Sequence, residues 1–233
     1  SGGHLTLLQT SQQSPALFGF PPQARVGRVV PKNKIYEHSR ISSALRDKFV
    51  TQVEQITWAY KLAPETINLP ARLEVPELQI FEITLKTAEL DDDVLHAIDR
   101  AIPLPIIFQL HREQQTRLVA ALKRPSQAES GKWVLGEYMA GPWLPGNAER
   151  QPLPLALDLL GLYEQLLRSL LSQPARAGES LPEQLERLAQ LRSWQGELQK
   201  LEAHLHKEKQ FNRKVALNAQ LRELKHEIER LST

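Results

Sequence analysis

Cysteine is absent from this chain. That absence removes disulfides, thiolate metal sites and a cysteine nucleophile together, and it suits a reducing, cytoplasmic compartment. No apolar run approaches the roughly 18 residues that a membrane span needs, so no membrane contact is expected. No charged n-region followed by an apolar segment opens the chain, and Ser1, Gly2 and Gly3 read as residues left by expression. Glycine-dependent motifs are missing as well: there is no Gly-x-x-x-x-Gly-Lys, no Gly-x-Gly-x-x-Gly and no Gly-x-Ser-x-Gly. Phosphate-loop ATPase, dinucleotide-binding and α/β-hydrolase chemistry therefore lack the backbone geometry they require, and no cofactor is implied. His204 and His206 stand two apart, which on a helix turns them to different faces, so no metal site is expected there.

What remains is an ordinary globular composition, 41% hydrophobic and 24% charged, with a formal charge of +2 that is unevenly spread. From Gln23 to Lys48 seven cations meet only Glu37 and Asp47, a balance of +5; from Glu74 to Asp99 eight acids meet only Lys86, a balance of −7. His204 to Lys214 carries +3. Two basic regions flanking an acidic one are consistent with a polyanion footprint or with internal charge pairing.

The pattern of elements predicts an α+β fold: a mixed, largely antiparallel sheet with covering helices, followed by a C-terminal helical hairpin or coiled coil. Residues 1–17 are expected to be flexible, 18–173 to form the globular domain, 174–180 to link, and 181–233 to form the terminal helices. After a proline-rich, looping start, a helix is predicted from Ser42 or Ser43 to near Leu62, with Leu45, Phe49, Val53, Ile56 and Tyr60 on one face. "PELQIFEITLK" alternates as a strand, placing Phe81, Ile83 and Leu85 on one side and Glu82, Thr84 and Lys86 on the other. "ELDDDVLHAIDRAI" reads as a helix whose aspartates cap its N-terminus. "PIIFQL", "TRLVAALK" and "KWVLGEYM" read as three more strands, and "LPLALDLLGLYEQLLRSLLSQ" as a helix of about 20 residues. Leu185, Leu188, Leu191, Trp194, Leu198, Leu201 and Leu205 form one seam; Leu217, Leu221, Leu224, Ile228 and Leu231 form another, out of heptad register with the first. Either a stutter or a turn near Lys207 to Phe211 must separate them.

Several blocks resemble a bacterial family known as domain of unknown function 4391: Pro31 and Lys32, the stretch from Trp58 to Ile67, that from Ile98 to Pro103, and "KEKQFN" from Lys207 to Asn212. The likeness covers nearly the whole chain after residue 18. It implies companionship with helicase-type, restriction-modification or phage-defence proteins and carries no activity with it.

Candidate chemistry is sparse. A restriction-type nuclease needs an upstream acid and then Glu-x-Lys on a strand; "FEITLK" offers Glu82 and Lys86 with Thr84 in place of the second acid. Trp58, Tyr60 and Lys61 could form a base-stacking surface, unless Tyr60 packs in the core, and Lys32 and Lys34 belong to the first basic region. At the turn, Lys207, Lys209, Arg213 and Lys214 surround Phe211, where cations could meet phosphates and the ring could stack or anchor, unless Phe211 plugs the hairpin end. The sequence thus points to a non-catalytic adaptor that contacts DNA or RNA, and the resemblance implies a helicase-like or restriction-type partner on which it docks. A degenerate metal-dependent nuclease and a homodimeric scaffold are the alternatives.

Overall fold

A computed structural model describes residues 15–233. The chain divides into two compact units, one ending at Leu171 and the other running Ser172–Thr233.

The first unit is built on β1 (Leu17–Phe18), β2 (Arg25–Val29), α1 (Lys32–His38), α2 (Ser43–Gln52), β3 (Val53–Leu62), α3 (Pro64–Ile67), β4 (Leu78–Leu85) and α4 (Asp92–Ala101). It continues with β5 (Ile106–Arg112), β6 (Gln115–Pro125), β7 (Trp133–Ala140), β8 (Leu144–Pro145), β9 (Arg150–Gln151) and α5 (Leu159–Arg168). The main sheet has the order β2-β3-β4-β5-β6-β7, with β8 added beside β6. Among its described strands only β4 and β5 run parallel, and α4 is the crossover between them, as a parallel connection requires. The fold is α+β with a mixed, mostly antiparallel sheet, as the pattern of elements predicts.

Helices α1, α2 and α4 cover one face. Their core joins Ile35, Phe49, Val94, Leu95 and Ile98 to Val53, Ile56, Phe81, Ile83, Leu85, Phe108 and Leu110 from the strands. The predicted alternation of β4 is observed, since Phe81, Ile83 and Leu85 all belong to that core. Helix α4 starts where its aspartates indicate: the Asp91 side chain accepts from the Asp93 N–H at 2.9 Å. Between β5 and β6, Glu113 takes a left-handed φ of 53° and closes a tight turn within "HREQQ".

Two expectations fail. The helix from Ser42 stops at Gln52, and Val53–Leu62 is a strand in the middle of the sheet. Val53, Ile56, Thr57, Trp58 and Tyr60 are β-branched or aromatic and suit a pleated surface. Register shifts at Val53/Gln55 and at Trp58/Tyr60 insert extra residues, so inward positions recur at the mixed spacing that imitates a helix. The predicted 20-residue helix shrinks to Leu159–Arg168, because Asp158 caps it by accepting from Gly161 N–H at 2.7 Å. Leu155 is left 95% exposed ahead of that cap. Residues 1–14 of the expected flexible segment lie outside the described residues, and Leu17 is buried and pairs with Arg150.

The second unit consists of α6 (Leu181–Lys207) and α7 (Phe211–Ser232). Ser180 and Glu183 form a reciprocal capping box at the start of α6, and Pro182 occupies its first turn, where the missing N–H costs nothing. The two helices pack antiparallel: Arg187 Nη1 donates to Leu231 O at 2.9 Å, and Lys225 pairs with Glu202 at 3.8 Å. The two seams therefore face each other, with Leu188, Leu191, Leu217 and Leu221 buried. Arg187 also donates to Pro174 O and to both oxygens of Glu179, which fastens the segment before α6 onto the base of the hairpin.

Candidate functional site

The register break between the seams is a turn of three residues, Glu208 to Gln210, with no glycine and no left-handed residue. Its cap is one carboxylate. Glu208 Oε1 accepts from the backbone N–H groups of Lys209 at 2.8 Å and Gln210 at 2.9 Å, and the Gln210 N–H chiefly holds the carboxyl below its ordinary range. A residue normally unremarkable in a turn thus replaces the glycine that sequence rules look for.

Phe211 opens α7 and is 77% exposed, so it does not plug the hairpin end. Val215, one turn further on, is 51% exposed and extends the apolar strip. Lys207, Lys209, Arg213 and Lys214 are all exposed around it. Arg213 reaches Glu208 at 4.0 Å, a weak pair at a surface. These five predicted residues come together as one surface.

The other predicted residues lie in the first unit, where Lys34 and Trp58 line one pocket and Gln79 with Glu77 links Trp58 to Lys61. Lys32 Nζ donates to Phe49 O at 3.0 Å and Val53 O at 2.5 Å, capping the end of α2, and burial lowers its pKa. Lys34 is exposed and pairs with Glu37 at 3.6 Å. Trp58 lies on the helix-covered face and donates from Nε1 to Gln79 Oε1 at 2.6 Å. Lys61 is held by Glu65 at 2.9 Å and Glu77 at 3.3 Å, both of which raise its pKa. The charge imbalance between the basic and acidic regions is thus met in part by internal pairing, including Lys48 with Asp91 at 2.8 Å.

Glu82 and Lys86 are also separated in role. Lys86 Nζ donates to Val50 O at 2.9 Å, whereas the Glu82 carboxylate is turned toward His111 Nε2 at 3.8 Å. Asp91, Asp92 and Asp93 stand at the start of α4, and Asp91 and Asp93 are engaged by Lys48. Among the described residues no group of three or more His, Asp or Glu side chains could hold a metal ion.

Two polar groups were missed at the level of sequence. The first is buried. Lys123, with a 3% exposed side chain, donates to Asp99 Oδ1 at 3.2 Å, Asp99 O at 2.7 Å and Ile102 O at 2.5 Å. Tyr138 O–H donates to the other oxygen, Asp99 Oδ2, at 2.5 Å. Nearby, the Lys123 backbone N–H donates to the Tyr163 hydroxyl at 3.0 Å, and that hydroxyl donates to Ala121 O at 2.9 Å. Burial raises the Asp99 pKa and lowers that of Lys123. All three ammonium protons are used, so this network clamps the end of α4 to β6 and β7.

The second lies on the sheet face opposite the helices. Cross-strand register places Glu82 beside Gln109, and Thr84 beside His111, which in turn faces Thr116. Thr116 Oγ1 sits 2.9 Å from His111 Nδ1. The Glu82 carboxyl is held below its ordinary range by His111 first and by the charges of Arg25 and Arg150 after it. Only pairing across strands reveals this group, because its members are scattered from residue 25 to residue 150.

No curated protein and no solved structure matches this chain. Among the described residues no helix is long and apolar enough to cross a membrane. A family model described as a domain of unknown function matches residues 18–228, nearly the whole of both units, and the chain belongs to that family, DUF4391.

Proposed function

We propose that this protein is a non-catalytic adaptor that uses the end of its terminal hairpin to engage nucleic acid held by a larger enzyme. A helicase-like or restriction-type protein is the partner that fits this reading. The observation that carries it is the 77% exposed Phe211 surrounded by Lys207, Lys209, Arg213 and Lys214. A large ring left in water at a helix end adds nothing to folding, whereas it can stack on a base or anchor in a pocket. The four cations add the phosphate attraction that such an encounter needs. Leu188, Leu191, Leu217 and Leu221 bury part of the seam between the arms, whereas the tip leaves an apolar ring and four cations in water.

The test is fluorescence anisotropy with labelled single-stranded and duplex DNA and RNA over a range of salt. Reversing the charge of Lys207, Lys209, Arg213 and Lys214 is expected to weaken binding and to flatten the log–log salt slope by about 0.9 for each duplex phosphate that is no longer neutralised. Phe211→Ala should weaken single-strand binding with less change in slope. Equal affinity and slope for the charge-reversed and native proteins would remove nucleic acid from this role.

A further inference from the structure

The group on the sheet face opposite α1, α2 and α4 has, among the described residues, more hydrogen-bond donors than the protein uses. Arg150 Nη1 is buried and makes no hydrogen bond among the described residues. Its neighbour Nη2 donates to Gly146 O at 3.2 Å. A Cβ on Gly146 would lie 3.6 Å from Thr116 Oγ1, the atom beside His111 Nδ1. Arg150 therefore stands next to the Thr116–His111–Glu82 chain. Gln109, beside Glu82 in the register, is 4% exposed and brings a side-chain amide to the same place. Arg25 sits over the Tyr60 ring at 5.6 Å and Tyr60 faces Ile80, so this second guanidinium lies over the same sheet face.

A buried donor left unpaired costs free energy and is rare in folded proteins. An orphaned guanidinium N–H beside an amide, with a second arginine and a histidine around a single carboxylate, suits an anion that also carries a donor of its own. We propose that Glu82, Gln109, His111 and Arg150, with Arg25 at the margin, form a binding site for a phosphate monoester next to a sugar hydroxyl. The phosphate oxygens take the N–H groups of Arg150 and Gln109 and the charge of Arg25. The Glu82 carboxylate accepts from the hydroxyl and keeps His111 oriented from one side while Thr116 does so from the other. This site is in the first unit and does not depend on the hairpin tip.

Isothermal titration calorimetry of the full chain with inorganic phosphate and with ribose 5-phosphate tests the assignment. Ribose 5-phosphate is expected to bind more tightly than inorganic phosphate. Arg150→Gln and Gln109→Leu should each weaken it tenfold or more. Gln109→Leu replaces a nearly buried amide with an apolar group of similar size, so it should melt close to the native protein and keep the test independent of folding. Glu82→Gln should erode the preference for ribose 5-phosphate. A dinucleotide bearing a 5′-phosphate that competes assigns the phosphate to a nucleic-acid end, and one that does not assigns it to a free sugar phosphate. No heat with either probe, or unchanged affinity in the folded Arg150→Gln and Gln109→Leu variants, would overturn the site. Because the charge-reversed tip variant should bind ribose 5-phosphate normally, failure here is distinguishable from failure of the tip.

Discussion

Replacing Lys123 by Met should destabilise the first unit by an amount that depends on pH in a predictable direction. The ammonium group has no water to return to and no donor to spare: it ties Asp99 O, Ile102 O and Asp99 Oδ1. Met fills similar space but leaves the carboxylate of Asp99 buried with Tyr138 as its remaining partner. Breaking a buried pair from one side costs about 3–5 kcal/mol. For a unit of this size, each kcal/mol lowers the melting temperature by about 2–4 °C, so a fall of about 6–20 °C is expected at neutral pH. Burial already raises the Asp99 pKa, and losing the lysine charge removes the largest influence that opposes that rise. Between the unfolded value of about 3.9 and the raised folded value, the folded state then holds one more proton than the unfolded state. Stability of the variant must therefore improve as pH falls toward 5, and the gap to the native protein must narrow. Circular dichroism melts at pH 5 and pH 8 measure both numbers. A loss below about 1 kcal/mol, or an equal loss at the two pH values, would refute the argument. The double variant Lys123→Met with Asp99→Asn should recover much of the loss, since it removes the stranded charge while keeping an acceptor for Tyr138.

The hairpin offers two further checks. Phe211→Ala should leave thermal unfolding within about 1 °C of native because the ring is exposed, while Leu221→Ala, 5% exposed, should cost about 2–5 kcal/mol by opening a cavity between the helices. Arg187 holds the Glu179 carboxyl below its usual range, so the Glu179–Arg187 contribution should be complete above the unfolded pKa of about 4.3 and be lost as pH falls through the lower folded value. Denaturant titrations of native protein and Glu179→Gln should converge as pH is lowered, and a difference that does not shrink with falling pH would contradict the assignment.

How far the sequence could be read differs by element for physical reasons. Strand β4 and helix α4 were legible because local signals and burial agree: strict alternation around Phe81 and Ile83 in one, Asp91 as cap and an apolar face in the other. β3 was not legible, because its two bulges give a strand the spacing of a helix, and only the identity of Trp58, Thr57 and Ile56 argued otherwise. At the hairpin, the mismatch of the two leucine seams correctly placed the turn near Lys207 to Phe211, although the residue that makes the turn, Glu208, carries no turn signature. Lys32 and Lys61 looked available in the sequence, but whether a cation is free depends on carbonyls and carboxylates brought near it by folding. The Glu82–His111 group lay beyond reach for the same reason, since strand register creates it.

At the turn, a single carboxylate from Glu208 fastens the chain reversal, and every residue there keeps a backbone conformation open to any amino acid. The fold therefore asks nothing of Lys207, Lys209, Phe211, Arg213 or Lys214. Their identities can be exchanged while the leucine seam below holds the arms together. Substitutions at the tip should therefore change what the rod attaches to while leaving the hairpin folded.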